Sequence, residues 1–208
     1  FPIFNEHNQI IGFSGRKVTD DNRPKWLHMG RSSNWLFPYY NIEDVREAIM
    51  EKESVHIVES VGDCLALYDR GVKNVLVSFG LNISPTFTSR LALLPIKKIF
   101  ISFNNDNTAS VNRGFEGAIK SIFKLVESMD FEKVYFIPPE KNDFGEMDKT
   151  QIERYTTECH NKQHQDSMSQ VIEVAKGMMM RNKNGVNKSF TSSYNKLIKK
   201  NTFYYENF

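Results

Sequence analysis

Four short apolar runs, separated by stretches with helical spacing, restrict this chain to few folds. VHIV (55–58), VLVSF (75–79), IFISF (99–103) and VYFI (134–137) have the length and β-branched or aromatic content of buried strands. Between them, a helix is expected from Asp63 to Gly71, and another from Ser84-Pro85 to about Leu94, where Pro95 stops it. Residues 112–129 carry Phe115, Ile119, Ile122, Phe123 and Val126 at helical spacing. Strand alternating with helix predicts an α/β fold, a parallel sheet with helices on both faces. The carboxyl ends of such strands open onto one shared edge where ligands bind. Each run ends on residues suited to metal or phosphate. These are Glu59 with Gly62 and Asp63, then Gly80, then Asn104, Asn105 and Asp106, and lastly Asp143 and Glu146.

Length allows one good-sized domain or two small ones across 208 residues. No apolar run approaches the roughly 20 residues that span a bilayer, so no membrane association is expected. The chain opens on Phe1 rather than Met, and a natural N-terminus further upstream is expected. Cys64 and Cys159 alone fit a reducing, cytoplasmic setting and rule out a four-cysteine zinc ribbon within these residues. Residues 151–208 carry 9 Lys and Arg against 5 Asp and Glu, while the remainder carries 18 against 20. A mildly basic tail beside a slightly acidic centre is compatible with a polyanionic partner.

Residues 1–18 alternate as a hairpin with Gly12 and Gly15 inside its second strand. Gly within a strand marks a bulge or a close approach. Arg16, Lys17, Arg23, Lys25 and Arg31 follow, interleaved with Trp26 and Trp35, a mixture that suits single-stranded nucleic acid. The blander alternative is a solvated basic face above two core tryptophans. Residues 42–53 read as a helix joining this piece to the sheet. Three regions result: a small basic α+β subdomain (1–54), the parallel-sheet domain (55–148) and a polar, basic, partly helical appendage (149–208).

Several carboxylates meeting at one sheet edge repel each other unless cations neutralise them. Oxygen ligands of this kind suit Mg²⁺, with Mn²⁺ as a substitute. Two such ions about 4 Å apart stabilise attacking and leaving oxygens in phosphoryl transfer. On this reading Glu59 binds metal or takes a proton, Asp106 and Asp143 bind metal, and Gly62 and Gly80 let backbone N–H groups reach phosphate. Singly, each residue has a structural explanation: Asp63 as the N-cap of its helix, residues 104–107 as turn material, Asp143 and Glu146 as surface acids. Cys159, His160 and His164 lack a second zinc-like pair and read as a polar linker; His56 reads as a satisfied core residue, Met178 to Met180 as core filling, and Lys97-Lys98 as a solvated strand start.

These residues also carry a resemblance. Glu59-Ser60-Val61-Gly62-Asp63 is similar to the E-G-x-x-D motif of the Toprim domain, and Phe103-Asn104-Asn105-Asp106 to its F-D-x-D motif. Lys141-Asn142-Asp143-Phe144-Gly145-Glu146 resembles its K-D-x-x-E segment. Phe1-Pro2-Ile3, Ile11-Gly12-Phe13-Ser14-Gly15-Arg16 and Pro24-Lys25-Trp26 resemble the F-P-I, I-G-F-x-G-R and P-K-Y signature of DnaG-type primases, and Ser78-Phe79-Gly80 matches their S-L-G. The wording is closest to primases of tailed phages, which would place the protein in a host cytoplasm.

The resemblance covers about residues 1–148 and implies primer RNA synthesis on single-stranded DNA from NTPs, beside a replicative helicase. Carried over, Glu59, Asp106 and Asp143 are the catalytic and metal-holding acids, with Asn104 a fourth ligand. Arg16, Lys25 and Arg31 handle template and nucleotide phosphates, with Gly62, Asp63 and Gly80 beside the nucleotide. Two departures stand out. Asn104 replaces the first Asp of D-x-D and brings no charge, and Ser60 replaces a Gly. Neither the family's zinc ribbon nor a G-x-x-x-x-G-K-[ST] loop occurs in these residues. The alternatives are a weakened Toprim module that only binds nucleic acid or a replication partner, and a Toprim nuclease.

Overall fold

The computed structural model describes all residues except 6, 20–21, 23, 33–34, 36–41, 107–110, 182–187 and 208, so Arg23 and Asn107 lie outside the described residues. The chain begins with an antiparallel sheet of β1 (Pro2–Phe4), β2 (Ile10–Arg16) and β3 (Trp26–Met29), in that order. Register pairs Ser14 with His28 and Arg16 with Trp26. The period of two therefore sends Ser14, Arg16, Trp26 and His28 to one face and Phe13, Leu27 and Met29 to the other. Gly12 has its close neighbour within the molecule: a Cβ there would lie 2.2 Å from the Trp35 ring. Trp35 is buried, as the core alternative expects, whereas Trp26 is not.

Helix α1 (Ile42–Lys52) leads into the second sheet. There β4 (Ser54–Val58), α2 (Val61–Asp69), β5 (Val75–Val77), α3 (Pro85–Leu91), β6 (Lys98–Ile101), α4 (Arg113–Ser128) and β7 (Val134–Phe136) follow one another. All strand pairs are parallel, in the order β5-β4-β6-β7. The chain moves from β4 outward to β5, then crosses back to β6 on the other side of β4. This reversal makes the carboxyl ends of β4 and β6 the switch point at which open α/β sheets bind ligands.

Alternate side chains enter two separate cores. Ile57, Leu76, Ile99, Ile101 and Phe136 pack beneath α1, α3, α4 and the later helix α6, while Val58, Val77, Phe100 and Tyr135 pack beneath α2 and α5. Both faces are covered, which is why these strands are apolar throughout.

The polar C-terminal third is more ordered than its composition suggests. It forms α5 (Lys149–Asn161), α6 (His164–Arg181) and α7 (Lys188–Asn207). The stretch read as a linker lies in α5 and α6. Most of its polar residues face solvent, Ser167 being buried and His164 partly so, while Ile152, Tyr155 and Cys159, then Met168, Val171, Ala175 and Met178, form buried stripes. Met180 remains exposed, so the methionine run is only partly core. On edge strand β7, the Phe136 N–H donates to Ser167 Oγ of α6 at 2.7 Å, which satisfies a backbone group that no further strand would pair. No helix among the described residues is long and apolar enough to cross a membrane.

Candidate active-site cleft

Glu59 leaves β4 at the switch point, and Ser60 begins α2 immediately after it. Ser60 is the N-cap, and Asp63 is the third helical residue rather than the cap read from sequence. The two form a reciprocal box: Ser60 N–H and Oγ–H donate to Asp63 Oδ2 at 3.2 and 2.6 Å, and Asp63 N–H donates to Ser60 Oγ at 3.4 Å. The second Asp63 oxygen accepts from Phe144 N–H at 3.2 Å. Buried Asp63 thus ties the start of α2 to the turn that carries Asp143, eighty residues away in sequence.

After β6, Asn105 plays the corresponding structural part. Its N–H donates to the Asn142 carbonyl at 2.8 Å, and its Oδ1 accepts from Asn112, the N-cap of α4, at 2.9 Å. The side chains on either side of it, Asn104 and Asp106, diverge. Asn104 lines the cleft, and its Oδ1 is buried without a hydrogen-bond partner. Asp106 turns to α4, where its Oδ2 accepts from Gly114 N–H at 3.0 Å. A Cβ on Gly114 would lie 1.8 Å from the Asn104 carbonyl oxygen, so only glycine lets α4 approach this loop. Sequence reading passed over Gly114, because its need arises from a backbone eight or more residues away.

Above this edge stands the inner face of the small sheet. Ser14, Arg16, Lys25, Trp26 and His28 face Glu59, Gly62, Asp63, Asn104, Asp143 and Glu146 across an open cleft of about 530 Å³. The Arg16 guanidinium lies 5.8 Å from the Trp26 ring centre. Both come to within 4 Å of where a Gly62 side chain would begin. Gly80 also lines the cleft, at φ +127°, but its N–H donates to the Glu59 carbonyl at 3.1 Å and is not free for phosphate. Arg31 is exposed beyond β3 and is not part of the lining.

Electrostatics follows from crowding. Burial raises the Glu59 carboxyl to about 7, and the charges of Asp63 and Asp106 add to the effect. The Asn104 N–H, bonded to this carboxylate, and Lys25 pull the other way. Asp63 is also raised, chiefly by burial and further by Asp143, against the Ser60 hydrogen bond. Glu59 thus senses Asp106 on one side and, through Asp63, adjoins Asp143 on the other. Among the described residues no three His, Cys, Asp or Glu side chains converge as a ready metal cage. Mg²⁺ does not require one, since it binds through one or two carboxylates and keeps several waters. The all-oxygen donor set and the unpartnered Asn104 oxygen fit such an ion.

Comparison with known proteins places the fold. The DNA primase of Lactococcus lactis is 28% identical over 140 residues, which span 62% of this chain and 22% of the relative. The crystal structure of a DNA primase domain from Pseudomonas aeruginosa superimposes with a TM-score of 0.64 at 19% identity, over 96% of this chain and 66% of that one. This is the fold of a DnaG-type primase core. A structure of the DnaG primase catalytic domain bound to ssDNA also matches, with a TM-score of 0.56 at 20% identity, over 76% of this chain and 50% of that chain. No family model matches. The chain spans about a fifth of the length of the curated primase above.

Within this primase-core fold, His28 is a cleft residue outside the quoted motifs, and Phe79, the middle residue of Ser78-Phe79-Gly80, lines the cleft beside it. The His28 ring stands edge-on to both Trp35 and Phe79, with centroids 5.7 Å apart in each case. The signal in sequence was the alternation of WLHM, which puts His28 on the same face as Trp26.

Proposed function

We propose that this chain is the catalytic core of a DNA primase, joining ribonucleotides on a single-stranded DNA template by Mg²⁺-dependent nucleotidyl transfer. The observation that carries the reading is the meeting, in one cleft, of Arg16, Lys25 and Trp26 from the small sheet with Glu59, Asn104 and Asp143 from the parallel one. Cations hold phosphates and flat rings stack on bases, a combination suited to a strand and an incoming NTP together. The likeness to a catalytic domain bound to ssDNA supports the same template class. A replicative helicase as partner rests on the family resemblance.

Glu59, Asn104 and Asp143, with Asp106 behind them, would hold Mg²⁺. The ion would supply charge for phosphate oxygens and relieve repulsion among the acids. The residues themselves have distinct tasks. Arg16 and Lys25 orient the triphosphate, and Trp26 stacks on a base. Glu59 accepts the proton of the attacking 3′-hydroxyl as its oxygen bonds to the α-phosphorus and pyrophosphate departs. Asp63 and Asn105 are positioning residues, since their hydrogen bonds hold the loops that carry Asp143 and Asn104.

Primer synthesis from labelled NTPs on single-stranded DNA tests the proposal. Product should grow only with Mg²⁺, and Glu59→Gln should lower the rate by about 10²- to 10⁴-fold with the fold intact. Template breakdown would instead mark a nuclease. Retention of DNA without synthesis would favour a binding module, the reading to which the uncharged Asn104 lends weight.

A further inference from the structure

The parallel sheet has a second hollow at its opposite end. A cavity of about 560 Å³ opens where β4, β5 and β6 begin, with α5 along one side, and it shares no residue with the catalytic cleft. Lys52, Lys97 and Lys98 surround it, and His160 of α5 adds a further basic group. The single acid in the lining, Glu53, is engaged by Lys97. Lys52 and Lys98 have no ion-pair partner among the described residues, although the Lys98 ammonium lies 5.4 Å from the Tyr135 ring centre. Val72, Phe100 and Cys159 form an apolar floor.

The inner wall contains a polar group not fully used by the fold. His56 is 5% exposed, and its Nδ1 lies 2.7 Å from the Tyr155 hydroxyl, itself 2.7 Å from Ser102 Oγ. Its Nε2 has no hydrogen-bond partner among the described residues. Burial, helped by Lys52, lowers the ring to about 3 and keeps it neutral near pH 7. If the Ser102 and Tyr155 hydroxyls donate in turn toward Nδ1, the ring proton sits on Nε2 and is available to an oxygen in the cavity.

We propose that this cavity is a second binding site, for a nucleoside phosphate, with Lys52, Lys98 and His56 Nε2–H holding phosphate oxygens while the base lies against Val72, Phe100 and Cys159. A neutral donor beside two lysines satisfies an anion without needing a third charge. The apolar floor accounts for a nucleoside rather than phosphate alone. His56 lies in β4 and Glu59 directly follows its last residue, so a ligand here would sit about one strand length from the catalytic edge. The site stands independently of whether the cleft makes primers.

Equilibrium titration of a fluorescent adenosine triphosphate in EDTA tests this, in an Arg16→Ala/Lys25→Ala background that weakens the catalytic cleft. Saturable binding at one site per chain is expected, and adding Lys52→Glu and Lys98→Glu should weaken it at least tenfold. Absent binding, or binding those changes leave intact, would overturn the site. Lys52→Glu alone, at an exposed position, decides the matter if circular dichroism shows the larger variant unfolded. Inorganic phosphate should compete at least tenfold less well than the nucleotide, and equal competition would overturn the nucleoside assignment.

Discussion

Glu59 and His56 lie three residues apart on one strand and its end, and burial moves both toward neutrality, yet their surroundings oppose each other. His56 is lowered to about 3 beside a hydroxyl that α5 delivers to its ring. Glu59 is raised to about 7 in the company of more carboxylates. One neighbourhood accommodates its polar group, while the other aggravates it and leaves it facing an open cleft. Unrelieved repulsion among carboxylates at a place where a cation can enter marks the cleft, of the two, as the candidate for catalysis.

Exchanging each residue for glutamine should separate the two roles most sharply. Glu59→Gln keeps an oxygen for the Asn104 N–H and should still lose 10²- to 10⁴-fold in primer synthesis. His56→Gln should lower the melting temperature and change the synthesis rate by less than about tenfold. Equal losses of activity in the two variants would erase the distinction.

Gly114→Ala comes next. Its Cβ would collide with the Asn104 backbone, so denaturant unfolding should show a loss of about 1–3 kcal/mol, with primer synthesis falling as the Asn104–Asp106 loop shifts. Unchanged stability would mean that α4 can move aside freely.

The two pKa shifts predict opposite slopes of stability with pH. Glu59 titrates near 4.5 when unfolded and about 7 when folded, so the stability from its protonated form is full below 4.5 and is lost as pH rises through 7. Without Mg²⁺, Glu59→Gln should therefore exceed the parent at pH 8 by roughly 3 kcal/mol, and the difference should fall below about 0.5 kcal/mol at pH 4.5. Excess Mg²⁺ at pH 8 should narrow it. His56 behaves in reverse, contributing fully above 6.5 and losing that contribution as pH falls toward 3. Chemical denaturation between pH 4 and 8 measures both.

The smallest effect expected is that of Asn104→Asp. The added charge beside Glu59 should lower the Mg²⁺ concentration for half-maximal synthesis about three- to tenfold, and destabilise the metal-free protein at pH 8. No shift in the Mg²⁺ requirement would place Asn104 outside the metal's reach.

Much of the scaffold was legible because its determinants are local. Two-residue alternation, helical spacing, the Ser84 cap with Pro85 behind it, and an acid or amide at three strand ends depend on neighbours a few positions apart. Tertiary contacts decided the rest. They placed β6 on the far side of β4, turned Asp106 to Gly114, and committed the Gly80 N–H to Glu59. They also buried Trp35 while leaving Trp26 at the cleft, and made a polar C-terminal third into helices that complete both cores. Strand order, burial and hydrogen-bond partnership are set by groups tens of residues apart, whose meeting no local pattern encodes.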